Sequence, residues 1–353
     1  CMFLLCMFHT IIAYSALQRY PKGMRPDRLQ VLLADAKTDA FLVSNLTNIL
    51  YLSGVSVSAG FVLIKAKKSI LFVDGRYAEK AKGTVRKGIS VLDIEKIAQE
   101  LKTVKNCGFE ASDVTVDRLS RWKRNFLNTK FVQKKGIVEE YRRTKDKDEI
   151  RHFKKAQRIT NDLMTRIPSS LKQGVTEMQI AWMLEALARE LGAEGLSFDA
   201  IVGFGSNSSR PHHSPTNRKF KKGDMVQIDV GAKVNGYCAD QSRVFFTGPK
   251  TKLQEKVFIA LGRAKKESEA AIKPGVTNHE LDKISRSVLK EYDLEKYFIH
   301  SLGHGVGLDI HEGITLSQKA KKTPLLKNEI ITIEPGVYIP GKFGMRLEDE
   351  VIV

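Results

Sequence analysis

Lys222-Gly-Asp-Met-Val-Gln-Ile-Asp-Val-Gly231 and Lys327-Asn-Glu-Ile-Ile-Thr-Ile-Glu-Pro-Gly336 follow one pattern: a lysine, a polar turn, an apolar run, a carboxylate and a nearby glycine. A second pair precedes them in the same order, Lys172-Gln-Gly-Val-Thr176 and Lys273-Pro-Gly-Val-Thr277. The offsets are 101 residues for the threonines and 105 for the carboxylates Asp229 and Glu334. Chance explains one such pair easily and two ordered pairs poorly. The reading is a duplicated helix-plus-strand unit whose halves close around a pseudo-two-fold axis. Each threonine is predicted to open a helix through a capping box, Thr176 with Gln179 and Thr277 with Glu280.

Such an axis brings the strand ends carrying Asp229 and Glu334 together. Each half supplies a second carboxylate, Asp240 eleven residues after Asp229 and Glu348 fourteen after Glu334. Both spacings suit a hairpin that returns to the same end of the sheet, with Ala232–Gly236 as the first turn and Pro340, Gly341 and Gly344 serving the second. A single acidic residue at a strand end usually caps a turn. Four related by a repeat would repel one another unless cations lie between them.

The histidines point to the same place. His300, His304 and His311 fall within Ile299-His-Ser-Leu-Gly-His-Gly-Val-Gly-Leu-Asp-Ile-His-Glu312. Glycines around His304 allow close backbone approach. His212 and His213 sit in the turn-rich stretch Ser208-Ser-Arg-Pro-His-His-Ser-Pro-Thr-Asn217, the kind of loop that carries function on a rigid scaffold. A lone histidine is more often structural. Three within twelve residues of a Gly-rich loop favour a site.

The chain is 353 residues long, with 42% apolar residues and a formal charge of +18. It is long enough for two domains with sizeable cores. The segment 1–24 is an apolar extension without the basic start of a secretory signal and short for a membrane span. Residues 25–140 read as a small α/β domain, with a helix over 28–35 and strands at 40–43, 60–64 and 69–73. A charged stretch over 139–148, most simply a solvated face, then precedes a helix over 147–167 and the duplicated domain, 141–353. Lysines and arginines lie in short scattered clusters with no aromatic-interleaved strip, so neither nucleic acid nor membrane is an expected partner. The four cysteines, Cys1, Cys6, Cys107 and Cys238, show no metal-finger or disulfide spacing and fit a reducing, cytoplasmic setting.

Taken together, Ile228-Asp-Val-Gly231, Cys238-Ala-Asp-Gln-Ser-Arg243, Gly303-His-Gly-Val-Gly-Leu-Asp-Ile-His-Glu312, Thr332-Ile-Glu-Pro-Gly-Val-Tyr338 and Met345-Arg-Leu-Glu-Asp-Glu350 resemble the pita-bread metallopeptidases. Asn48-Ile-Leu-Tyr-Leu-Ser-Gly54 and Phe72-Val-Asp-Gly-Arg-Tyr77 resemble the first domain of the Xaa-Pro aminopeptidase and prolidase branch. The resemblance implies an α/β (α+β) chain with a creatinase/prolidase-type N-terminal domain before a pita-bread catalytic domain. It implies Asp229, Asp240, His304, Glu334 and Glu348 as ligands of two divalent ions, with Asp240 and Glu348 bridging. An oxygen-rich set with one imidazole suits manganese best, with cobalt or zinc as alternatives. His212, His311, Glu334 and Arg346 match the family's catalytic positions, Arg346 as the arginine that steadies a ligating carboxylate. His212, His300 and His311 match its substrate-binding positions.

The activity so implied is removal of the N-terminal residue from peptides with proline in second position, by a homodimer. The alternative is an Xaa-Pro dipeptidase. A creatine-hydrolysing relative and a non-catalytic binding module of the same fold are disfavoured, because such proteins lack the full ligand set carried here.

Overall fold

The computed structural model describes residues 26–353; the apolar segment 1–24 lies outside them. Two compact units follow one another, with the division between Val138 and Glu139.

In the first unit, α1 (Pro26–Ala36) precedes a six-stranded sheet of β1 (Ala40–Val43), β2 (Phe61–Lys65), β3 (Lys68–Val73), β4 (Ile89–Asp93), β5 (Asn106–Glu110) and β6 (Lys130–Lys134). The spatial order is β4-β3-β2-β1-β5-β6. Strands β1, β2 and β3 pair antiparallel, and the outer pairings are parallel. The continuous apolar run Ala40-Phe-Leu-Val43 is wholly buried, as a central strand covered on both faces requires. The lysine-rich turn between the second and third strands is the two-residue link Ala66-Lys67, with Lys65 opposite Lys68. Phe61, Phe109, Trp122 and Phe131 meet largely edge to face beneath the sheet.

The second unit contains the duplication. Its first half has α6 (Lys147–Ser170), α7 (Glu177–Glu190) and the antiparallel trio β8 (Ile201–Phe204), β9 (Met225–Val230) and β12 (Gln241–Phe246), ordered β12-β9-β8; its numbering counts helices α2 (Leu46–Ser53), α3 (Gly75–Thr84), α4 (Ile97–Leu101) and α5 (Val116–Asn125) of the first unit. A small sheet of β7 (Gly195–Leu196), β10 (Ala232–Val234) and β11 (Tyr237–Cys238) flanks it. The second half has α8 (Lys252–Ala270), α9 (Asn278–Glu291) and a sheet of β13 (Gly303–Gly305), β14 (Glu312–Leu316), β15 (Ile330–Ile333) and β18 (Asp349–Ile352), ordered β14-β13-β15-β18. The hairpin β16 (Gly336–Ile339) and β17 (Phe343–Arg346) links β15 to β18.

The turns that open the repeated helices match bond for bond in the two halves. Gly174 N–H donates to Phe220 O as Gly275 N–H does to Leu325 O, and Phe220 and Leu325 return a bond to Val175 and Val276. Thr176 bridges to Lys219 and Thr277 to Pro324. Both predicted capping boxes are formed. Each half has its own apolar core: one around Leu163, Leu184 and Ile228, the other around Leu261, Leu281 and Ile333. Asp146, with Glu149, caps α6, which runs to Ser170 rather than to Ile167 because the last turn accommodates Pro168.

The first hairpin turns at Asn235 and Gly236, both at positive φ, as a tight β-turn demands. The second turns at Pro340–Lys342, with Gly341 at positive φ. Gly344 is not part of that turn. It lies in β17 opposite Tyr338, where a Cβ would sit 2.3 Å from Ser208 O. Close approach of backbone, not turn geometry, explains that glycine. Among the described residues no helix is long and apolar enough to cross a membrane.

Candidate active site

Four carboxylates reach one place by equivalent routes. Asp229 lies near the end of β9, and Glu334 directly follows β15. Asp240 directly precedes the return strand β12, and Glu348 the return strand β18. The crossing is tight: at Gly231, one residue past β9, a Cβ would lie 1.6 Å from Ala239 O. That glycine lets the chain double back so that Asp240 returns beside Asp229.

His304, on β13, completes the cluster. Its Nε2 is 3.4 Å from Asp240 Oδ2 and 3.5 Å from Glu334 Oε1. Its Nδ1 faces Gly305 O at 3.1 Å. A carbonyl can only accept, so Nδ1 carries the proton and Nε2 presents a lone pair to the carboxylates. The ligating atoms of Asp240, His304 and Glu348 all lie within 4.8 Å of one another.

Arg346 braces the acidic side. It is buried, ion-paired with Asp229, and donates to Ser242 Oγ at 2.8 Å and Tyr338 Oη at 2.6 Å. Glu348 Oε2 accepts from Ser242 at 2.8 Å. Glu350 accepts from the Asp240 N–H and from Gln157.

Asp229 Oδ1, Asp240 Oδ1 and Glu348 Oε1 are buried with no hydrogen-bond donor among the described residues. Burial and the neighbouring carboxylates, Asp229 and Glu334 foremost, push the Asp240 carboxyl well above its ordinary pKa. Burial and then Asp240 do the same to Glu348. Burial also raises Glu334, opposed by His304 and Arg346. Bare, the cluster therefore holds protons it would not otherwise bind. Orphaned carboxylate oxygens and an imidazole lone pair aimed into one space are the donor set that fits a divalent cation.

A cavity of about 990 Å³ opens onto this cluster, and His212, His300, His304, His311, Glu334 and Arg346 line it. His311 stands edge-on to His304, with ring centres 4.2 Å apart. Burial lowers the His311 pKa, and His304 and His212 lower it further, so its ring is neutral at physiological pH. His300 is pushed down to about 3 by burial and then by Arg346. Its Nδ1–H donates to Ser301 O at 2.8 Å, and its Nε2 accepts from Tyr338 Oη–H at 3.2 Å. Both ring nitrogens of His300 are thus engaged, and a substrate would have to displace one of these partners.

All nine residues assigned to the site in the sequence line this one cavity: Asp229, Asp240, His304, Glu334, Glu348, His212, His300, His311 and Arg346. Sequence reasoning did not assign Tyr338, Ser242 or Glu350, although each lies inside a quoted motif. Their partners are up to 110 residues away, so spacing alone carried no signal.

Comparison with known proteins agrees with this construction. Metallopeptidase family M24 matches residues 151–353, and the creatinase/prolidase N-terminal domain matches residues 25–144. A putative Xaa-Pro aminopeptidase of Mycoplasma pneumoniae is 36% identical, over 92% of this chain and 92% of its own length. An Xaa-Pro dipeptidase of Pyrococcus furiosus is 32% identical, over 93% of this chain and 94% of its own. Among solved structures, an Xaa-Pro dipeptidase from Bacillus anthracis superposes with a TM-score of 0.89 at 32% identity, covering 93% of this chain and 94% of that one. An X-Pro aminopeptidase from Thermotoga maritima superposes at 0.84 and 32% identity, covering 92% and 95%. The fold, the acidic cluster and these relatives converge: the chain is a hydrolase of metallopeptidase family M24, built on the pita-bread fold behind a creatinase/prolidase N-terminal domain.

Proposed function

We propose that the chain is a dinuclear-metal Xaa-Pro aminopeptidase. The observation that carries the reading is the cluster of Asp240, His304 and Glu348, whose ligating atoms lie within 4.8 Å of one another, beside buried, unsatisfied carboxylate oxygens of Asp229, Asp240 and Glu348. Asp229, Asp240, His304, Glu334 and Glu348 would hold the metal. Charge favours a pair of ions: four carboxylates and the buried Arg346 leave three negative charges, more than one divalent ion can balance. Manganese suits the oxygen-rich set best, with cobalt or zinc as alternatives. When bound, such ions lower the pKa of water and polarise a carbonyl group.

The protein groups do the rest. Glu334, at the cavity wall, accepts the proton of the attacking water and returns it to the leaving proline nitrogen. His311, neutral, and His212 donate hydrogen bonds to the oxygen that becomes negative as the carbonyl carbon turns tetrahedral. Arg346 holds Asp229 in place and, through Tyr338, fixes the tautomer of His300.

The cavity admits a peptide longer than a dipeptide, and the relative at 36% identity is named as a putative Xaa-Pro aminopeptidase. The reading includes a homodimer in a reducing cytoplasm, the latter in keeping with the free, buried thiols Cys107 and Cys238. Turnover of an Xaa-Pro-Xaa tripeptide beside an Xaa-Pro dipeptide, in manganese, tests the assignment. Faster cleavage of the tripeptide is expected. Cleavage of the dipeptide alone would make the enzyme a prolidase.

A further inference from the structure

Glu177 is the first residue of α7, immediately after the cap Thr176. Its side chain is 0% exposed, yet it lines no part of the cavity. Each of its oxygens is saturated by the segment that runs past His212. Oε1 accepts from Phe204 N–H at 2.8 Å and from Asn207 Nδ2 at 3.0 Å. Oε2 accepts from Thr216 N–H at 3.0 Å, Thr216 Oγ1 at 2.6 Å and His213 Nε2 at 2.9 Å. Burial works against the charge of Glu177, but the bonds from His213, Phe204, Thr216 and Asn207 outweigh it and hold the pKa low. The group is therefore an anion, and His213 Nε2 must be the protonated, donating nitrogen.

The other half shows what this position does. Asn278 occupies the same place after the cap Thr277. It donates to Thr315 O and Lys321 O and accepts from Thr323 N–H. The first residue of the repeated helix thus anchors a loop in both halves. In the second half the anchored segment reaches the cavity at Thr315, whereas the first-half loop contributes Pro211, His212, His213, Ser214 and Pro215. The half whose loop supplies five consecutive cavity-lining residues is the one that uses a carboxylate with five donors. His212 itself is exposed, and its neighbour His213 is pinned at 2% side-chain exposure. The loop's position is set from behind.

We infer that Glu177 is the positioning residue of the His212 loop: its buried carboxylate clamps residues 204–216 and so fixes where the His212 ring meets the substrate. The inference rests on the reading of His212 as a substrate-contacting group.

Glu177→Gln tests it with little change of shape. Either orientation of the amide sets its NH₂ against a backbone N–H, that of Phe204 or that of Thr216, and neither can turn acceptor. The backbone bonds Glu177 N–H to Arg218 O and Met178 N–H to Thr216 O survive, so the fold is expected to persist. Thr216→Val, which removes the hydroxyl that donates to Glu177 and accepts from the Arg218 N–H while keeping the backbone bond to Glu177, is the milder companion. Glu177→Gln is expected to lower kcat/KM about 100-fold, the scale of a catalytic group displaced by about 1 Å, with bound metal unchanged. Thr216→Val loses less in the same direction. In a His212→Ala background, Glu177→Gln is expected to cost less than about threefold, because the group it positions is gone. Hydrogen exchange is expected to quicken over 204–216 and not over 225–230. Equal losses in both backgrounds, with His212→Ala itself impaired, overturn the positioning role and leave the proposed function standing. Full activity in His212→Ala overturns the reading of His212, and this inference with it.

Discussion

His311 and Glu334 face the same cavity but stand in different relations to the acidic cluster, and that difference separates two kinds of loss. Glu334 belongs to the cluster, within 3.5 Å of His304 Nε2, whereas His311 stands edge-on to the His304 ring. Glu334→Ala is expected to lose both bound metal and activity. His311→Ala is expected to keep its metal and lose about 10²–10³-fold in kcat, the cost of removing one donor to a developing oxyanion. Metal analysis and steady-state kinetics on the same preparations check both. At this scale the sequence was informative wherever the repeat doubled a signal. Asp229 and Glu334, and Asp240 and Glu348, were visible as pairs. Arg346 has no counterpart in the first half and entered only through resemblance. Tyr338, Ser242 and Glu177 stayed hidden because each acts through a partner that only folding brings near, such as Ser242 reaching Glu348 across 106 residues.

At the scale of elements, the segment before α6 supplies a buried ion cluster that holds β14 and the His311 loop. Glu312 accepts from Arg142 at 2.5 Å and Lys145 at 2.8 Å, and all three side chains are at most 4% exposed. Burial opposes the charge of Glu312, but Lys145 and Arg142 prevail and lower its pKa. Glu312→Gln leaves buried Lys145 without its carboxylate and Arg142 paired with Asp309 rather than with both carboxylates, and is expected to cost about 3–5 kcal/mol in urea unfolding. A carboxyl whose folded pKa is depressed contributes stability above its unfolded value, near about 4.3, and loses it as pH falls through the folded value. The gap between wild type and Glu312→Gln should therefore be full at neutral pH and narrow on acidification below about 4. A gap independent of pH would contradict the clamp. The charge run at 139–148 was read in sequence as a solvated face, and the structure corrects this for Arg142, Arg143 and Lys145, which are buried. Composition reports charge, not the carboxylates at Glu312 and Glu329 that bury it.

For the whole molecule, the duplication is the organising fact. It was legible because capping boxes and apolar strands leave local patterns, and Thr176, Thr277, β9 and β15 all obey them. What lies between the halves was less legible. Arg346 reaches Asp229 across 117 residues, and Gln227 accepts from the Arg346 N–H across 119. These bonds hold the acidic ends of two separately cored halves together. On the proposed function, cations would complete the union, and ions bound there would stabilise the folded chain by mass action. Metal stoichiometry is the most direct measure of this cage. Purified chain is stripped with a chelator, dialysed against manganese and assayed for bound metal, beside Asp240→Ala treated identically. Two ions per wild-type chain are expected, with at most one in the variant. No tightly bound metal in the wild type, or equal stoichiometry in the two, would contradict a cage built by Asp229, Asp240, His304, Glu334 and Glu348.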